Sequence, residues 1–301
     1  MCTRMGALFQ PTYCGEVSGR DSSGDRRPEP WPLSRRALLG LGLGLTAAGS
    51  GLAACGSDDS VFPDLPDVRR EQASCVARSS LPRYDRLAGL PLVYEVNRRR
   101  SEFAIDEGFA GQLEVWLTDL RELTGWPLQQ VRTYGTWTNG GTSCSSWHNA
   151  GRAFDLARLR RDDGTDISCR YDLWRKASGR ELATTRRAYW AVAASAHRHF
   201  AYVLTYLYNT QHHNHIHLDN GRSGTEGSTF SSRSPAQVQA IQGILTHLWD
   251  APVEVTSRWD PATRDATASV LRDLAVGDDL TDQATWAGFL TASVRRGAEP
   301  A

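Results

Sequence analysis

Residues 212–217 read His-His-Asn-His-Ile-His and hold four of the chain's eight histidines. A neutral imidazole binds a transition metal or takes a proton near neutral pH. His215 and His217 are two apart, so on a strand they share one face. One ring can then ligate while the other points into the same cavity. His212 falls on the adjoining turn and can assist. The tract is internal and is broken by Asn and Ile, which excludes an expression tag.

A second polar group lies upstream, in Ser146-Trp147-His148-Asn149-Ala150-Gly151-Arg152-Ala153-Phe154-Asp155. His148 and Asp155 are seven apart, too far to ligate from one regular strand. Gly151 lets the chain turn between them, so a loop imidazole and a strand carboxylate converge. Ala153 shares the face of Asp155 and is small, which leaves room beside a metal; Arg152 and Phe154 point the other way. Catalytic zinc takes three protein donors and keeps one position for water. His148, Asp155 and His217 make such a set. Zinc lowers the pKa of bound water to about 7, so a neutral imidazole can take its proton. His215 is therefore expected as the base, or as a stabiliser of the developing oxyanion. Asp219 is on the same strand face and is expected to hold a ligand imidazole from behind. His213 reads as solvated. His197, His199 and His247 read as surface or helix-end residues.

These side chains need a scaffold, and hydrophobic periodicity outlines one. Leu113, Trp116, Leu117, Leu120 and Leu123 recur at helical spacing, and Gly125 can close that helix. Residues 129–134 read as a strand and 135–147 as loop. Residues 153–159 suit a strand, 160–166 a turn, and 167–171 its hairpin partner. A helix is expected over 181–200, then strands over 201–207 and 214–219. Beyond a Gly/Ser-rich linker, Ser234-Pro235 and Asp260-Pro261 start two helices, and a third runs from about Thr281 to Arg295. The fold class expected is α+β, with a small, mostly antiparallel sheet and flanking helices.

The first 54 residues read as a targeting segment. Ser34-Arg35-Arg36-Ala37-Leu38-Leu39 is a twin-arginine start, followed by an apolar run and then Leu52-Ala53-Ala54-Cys55. That order predicts a lipoprotein signal, with Cys55 carrying the lipid and anchoring the exported protein to the membrane. An uncleaved anchor is the plainer alternative. Residues before Ser34 read as a long leader or a start codon placed too early. Residues 55–67 read as a tether. Removing residues 1–54 leaves 28 basic and 30 acidic residues, a balance that gives no basic face for nucleic acid. Cys75, Cys144 and Cys169 follow Cys55, and an exported chain is expected to pair two of them. Cys144 and Cys169 bracket the polar segment and are the expected pair; Cys75 with either is the alternative.

The two motifs together resemble a known group. Ser146-x-His148-x-x-Gly151-x-Ala153-x-Asp155, then His212-x-x-His215-x-His217, is similar to the zinc peptidases that cut peptidoglycan cross-links. These are the D-Ala-D-Ala carboxypeptidases, the penicillin-insensitive murein endopeptidases and the hedgehog fold. His217-Leu218-Asp219 ends the second motif as in the extensin-like C-terminal domains, which the chain resembles over residues 75–220. The resemblance implies a zinc peptidase-like domain over 68–222. It implies zinc on His148, Asp155 and His217, and a catalytic role for His215 with His212 beside it. Carboxypeptidase relatives carry a Glu base just before the last ligand; this chain has Asn214-His215-Ile216, which points to the endopeptidase-like branch. Carboxypeptidases also grip a terminal carboxylate with Arg. Arg132, at a strand end before the loop, is the candidate here, ahead of Arg152.

Residues 234–297 are similar to a small three-helix peptidoglycan-binding module. They lack its Gly before the second helix, and Leu271-Arg272 stands where an aromatic-Gln ending belongs. A packing extension of the preceding domain is the equal alternative. The expected activity is zinc-dependent hydrolysis of peptide bonds in peptidoglycan by an exported lipoprotein. The rivals are a non-catalytic wall-binding lipoprotein with a structural zinc site, and a D-Ala-D-Ala carboxypeptidase.

Overall fold

The computed structural model describes residues 73–141, 144–221 and 223–300. The twin-arginine segment, Cys55 and the tether lie outside the described residues. In chain order the elements are β1 (Arg83–Tyr84), β2 (Arg86–Leu87), β3 (Leu90–Tyr94), β4 (Arg99–Arg100), β5 (Phe103–Ala104), α1 (Glu107–Thr124), β6 (Leu128–Thr133), β7 (Ala153–Arg161) and β8 (Asp166–Ser168). They continue with α2 (Tyr171–Trp174), α3 (Gly179–His199), β9 (Tyr202–Leu204), β10 (Ile216–Asp219), α4 (Pro235–Leu248), α5 (Pro261–Leu274) and α6 (Gln283–Ala298). Short 3-10 turns cover Trp147–Ala150 and Thr210–Asn214. The architecture is α+β, as the periodicity indicates.

The main sheet runs β2-β3-β6-β7-β10-β9, with β4 beside β3 and β8 beside β7. Its pairs are antiparallel except β3 with β6. Periodicity did not signal the strands between residues 83 and 104. α1 begins earlier than its apolar stripe: the Asp106 carboxylate accepts from Phe109 N at 3.0 Å and so caps the helix start. Gly125, at φ 65°, ends it in the left-handed region. Leu113, Trp116, Leu117 and Leu120 are fully buried, each contributing about 1.5–3 kcal/mol by leaving water. Trp116 Nε1 donates to Ser195 Oγ at 3.1 Å and ties α1 to α3.

A register shift along β7 decides what the sheet's open face carries. Thr133 pairs with Leu156 but Arg132 pairs with Arg158, so Ala157 is skipped as a bulge. Phe154, Leu156 and Leu159 thus all stay in the core, while Asp155 and Arg158 stay partly exposed. α4 and α6 both pack on α3, and Trp286, Phe289 and Leu290 belong to the same buried cluster as Trp190. A Cβ at Gly243 of α4 would collide with the Trp190 indole, so only glycine allows that approach. The C-terminal helices are therefore packed into the core that carries the sheet.

Two expectations are corrected. The disulfide joins Cys75 to Cys144, with Cα atoms 5.1 Å apart, and Cys169 is a buried free thiol. Cys169 follows β8 and is held by its N–H to Ala157 O at 2.9 Å, within the core. Residues 75–76 instead run beside the loop that bears Cys144: Val76 N donates to Asn149 O at 3.0 Å, and Trp137 Nε1 to Val76 O at 2.9 Å. His197 is not a surface residue. It is fully buried at the α3–α6 contact, 6.4 Å from the Trp286 ring.

Candidate metal centre

His217 stands directly across the β10–β7 ladder from Asp155. Cross-strand partners leave the sheet on the same face, so the two side chains meet without any loop to place them. β9 supports the other side of β10, with Leu204 opposite His217. His215 is the last residue before β10 and is already extended, at φ −160° and ψ 169°. Alternation therefore turns it to the same side as His217.

His148 arrives from the loop between β6 and β7. Ser146 starts its 3-10 turn: Ser146 Oγ accepts from His148 N at 3.3 Å, and Ser146 N donates to Asn149 Oδ1 at 3.1 Å. Gly151 closes the turn at φ 69°, with Asp106 N 3.2 Å from where a Cβ would stand. No larger residue fits that conformation and that space. His212 lies on the Thr210–Asn214 turn, which Asn209 Oδ1 caps by accepting from Gln211 N at 3.0 Å.

Three donor atoms converge. His148 Nε2 is 3.2 Å from Asp155 Oδ1 and 3.3 Å from His217 Nδ1, which is itself 3.0 Å from Asp155 Oδ1. Zinc holds N and O donors at about 2.0–2.2 Å, which spaces tetrahedral neighbours about 3.3 Å apart. The donor set fits zinc. His215 Nε2 approaches Asp155 Oδ1 to 3.3 Å. His212, His215 and His217 offer a second, overlapping group of donors within 4.8 Å of one another.

Each ring has an oxygen at its outer nitrogen. His148 Nδ1 is 3.2 Å from Thr136 O, and His217 Nε2 is 3.2 Å from Asp219 Oδ2. His212 Nδ1 is 2.7 Å from Asn209 Oδ1, and His215 Nδ1 is 2.6 Å from Asn214 Oδ1. An N–H donated outward leaves a lone pair on the inner nitrogen, so these acceptors fix the tautomers. The inner lone pairs of His148 and His217, with Asp155 between them, face one another. Such an arrangement suits a cation, either a proton or a metal.

The titration behaviour follows. Burial alone would raise Asp155, but the charges of His148 and His215 and hydrogen bonds from His148 and His217 hold it well below the carboxylate range. Burial works against a charged His217, yet its bonds to Asp155 and Asp219 raise it to about 10. Without metal, His217 thus carries the proton that neutralises the cluster. Burial pushes His215 down to about 4 against the pull of Asp155. His212 falls to about 3 through burial and then through repulsion from His217 and His215. The side chains of His148, Asp155 and His217 keep 13, 19 and 12% of their exposure.

The other expected residues are placed as follows. Asp219 lies behind His217. Arg132 is turned to the buried Glu95, 3.9 Å away, beside Arg158 and Arg170, which also approach that carboxylate. Arg152 faces away from the centre: it stacks over Trp147 and donates to Asn220 Oδ1 at 2.9 Å. His213 is half-buried, edge-on to Tyr171 at 5.0 Å, and not fully solvated. Tyr134 and Tyr208 flank His215 and His212, with ring centroids 6.2 and 5.5 Å away. Sequence reading passed over the orienting groups Asn209, Asn214 and Thr136 O. An Asn three residues before His212 and another next to His215 were the available signal.

The family described as extensin-like protein C-terminus matches residues 117–229, a span that contains every residue of this centre. No curated protein and no solved structure matches the chain.

Proposed function

We propose that the chain is an exported, lipid-anchored zinc hydrolase that cleaves peptide bonds in peptidoglycan. The observation that carries this reading is the convergence of His148 Nε2, Asp155 Oδ1 and His217 Nδ1 at zinc-ligand spacing, in contact with solvent. Three protein donors and one open position are the catalytic pattern, whereas structural zinc is closed by four; this reading takes His215 Nε2, 3.3 Å from Asp155 Oδ1, as the base and not as a fourth ligand. When bound there, zinc polarises a carbonyl oxygen and acidifies water. His215 is neutral at pH 7 and has its Nε2 lone pair inward, because Asn214 Oδ1 holds its Nδ1–H. In that tautomer it is a base for the attacking water and returns the proton to the leaving amine. Asp219 keeps His217 in the ligating tautomer, and His212 adds a further acceptor beside His215.

The substrate class rests on the resemblance of the motif pair to the murein and D-Ala-D-Ala peptidases and the hedgehog fold, together with residues 34–55, whose sequence reads as a lipoprotein signal. The pairing of Arg132 with Glu95 favours internal peptide bonds over a terminal carboxylate. The common core of α3, α4 and α6 favours a packing extension over a separate wall-binding module.

The test is to incubate the full chain with zinc and purified peptidoglycan, then identify released muropeptides and new amino termini by mass spectrometry. Cleavage is expected to stop with a chelator and to slow by about 100-fold or more in His215→Ala, the scale of a lost proton-transfer group. Release of D-Ala alone would assign a carboxypeptidase. Zinc binding and wall binding without cleavage would assign the non-catalytic lipoprotein.

A further inference from the structure

The three donors are not held alike. Asp155 and His217 stand on adjacent strands in a continuous ladder. His148 comes from residues 134–152, a connection much longer than is usual in a compact domain. Among the described residues, most of that loop's internal backbone bonds lie within residues 146–152, and Thr138 N to His148 O at 3.2 Å joins this turn to the rest of the loop. Asn149 adds two braces, donating to Thr138 O at 3.0 Å and accepting from Val76 N through its own carbonyl; Gly151 O accepts from Asp106 N at 3.0 Å, and Trp137 Nε1 donates to Val76 O at 2.9 Å. The covalent brace is Cys75–Cys144. Cys144 stands two residues before Ser146, the cap of the turn that presents His148. Cys75 is exposed and Cys144 half-buried, so a reductant can reach the sulfurs. Exposed disulfides are the reducible and regulatory ones.

We infer that Cys75–Cys144 is a positioning bond for His148, and that a dithiol reductant acting on it lowers the affinity of the centre for metal. This rests on the reading of His148, Asp155 and His217 as metal ligands. One thiolate of the reductant attacks a sulfur of the pair, forming a mixed disulfide and expelling the other sulfur as a thiolate, which is then protonated. The second thiol of the reductant resolves the mixed disulfide. Cys75 and Cys144 end as thiols, reduced by two electrons, and the reductant leaves as its own disulfide. The stretch from Cys75 is then attached to the loop only by hydrogen bonds, and the turn carrying His148 loses its covalent support. The strand donors keep their places.

The test is a zinc titration of the full chain against a chromophoric chelator, in three forms at a temperature where each is folded. These are the oxidised protein, the protein reduced by a phosphine that is then removed, and the double variant Cys75→Ser with Cys144→Ser. The serines exclude zinc capture by the freed thiols. Thermal unfolding of each form is recorded in parallel, as is the visible spectrum with cobalt(II) in place of zinc. The expected result is tight binding when oxidised, at least about tenfold weaker binding in the double variant, and an altered cobalt spectrum; tenfold is the lower scale for losing an outer support of a ligand. Equal affinity and equal spectra in oxidised and disulfide-free protein, with only the unfolding temperature lowered, would make the bond structural and overturn the inference. Should the double variant fail to fold, the reduced wild type with its freed Cys75 and Cys144 thiols alkylated decides by the same spectrum. No zinc binding even when oxidised would instead remove the metal reading on which the inference rests.

Discussion

Two groups of histidines in this molecule are both largely buried but are held in different ways. His148, His212, His215 and His217 gather on one face of the sheet around Asp155, each with an oxygen at its outer nitrogen. His197, His199 and His247 ride on α3 and α4 and converge on nothing. His199 Nε2 meets Asp119 Oδ2 at 2.8 Å, and His247 Nε2 reaches only the Tyr206 hydroxyl at 3.5 Å. Neither ring nitrogen of His197 has a hydrogen-bond partner. Burial is therefore not what sets the first group apart: a carbonyl, an amide or a carboxylate behind each ring turns its remaining lone pair toward a shared point.

That contrast can be broken or sharpened by substitution. The largest effect is expected from Asp155→Asn. It removes the one anion among the inward lone pairs, and zinc affinity measured by chelator competition should fall by well over 100-fold, more than an outer support is worth. Asp219→Asn touches only the oxygen behind His217, and should cost about 10–100-fold in the same measurement.

A smaller effect separates His217 from His197 by pH. His217 is raised to about 10, so its stabilisation of the metal-free fold is full below its unfolded value near 6.5 and is lost as pH rises through about 10. Burial lowers His197 to about 3, so the fold is unpenalised above 6.5 and loses stability as pH falls from 6.5 toward 3. Denaturant midpoints of metal-free protein should therefore peak near pH 6.5. His197→Leu should lessen the acid-side loss, to which the lowered His199, His212, His215 and His247 also contribute, and leave the alkaline side. It should also add about 1 kcal/mol at neutral pH, since it removes buried polar atoms that have no partner.

The sequence showed more of the site than of its supports. Both motifs were legible because His148, Gly151 and Asp155, and then His215 and His217, have spacings that only a turn and a strand satisfy. The helices were legible from their apolar period and from Gly125, Ser234-Pro235 and Asp260-Pro261, which punctuate them locally. The strands of residues 83–104 were not: most are two residues long, too short for alternation to register. The bulge at Ala157 was hidden because it breaks the period that would be used to find it, and it places Arg158 on the face of Asp155. The Cys75–Cys144 pair depends on which segment lies beside the loop, a tertiary fact absent from spacing. His197 reads as a polar helix residue until α6 is seen to cover it.

Cation binding is expected of the oriented cluster and not of histidines in general. The most direct measurement is zinc affinity of the full chain by chelator competition, for the wild type, His217→Ala and His197→Leu. The account predicts tight binding in the wild type, its loss in His217→Ala, and no change in His197→Leu. A wild type that binds no zinc, or a His217→Ala variant that binds it unchanged, would contradict it.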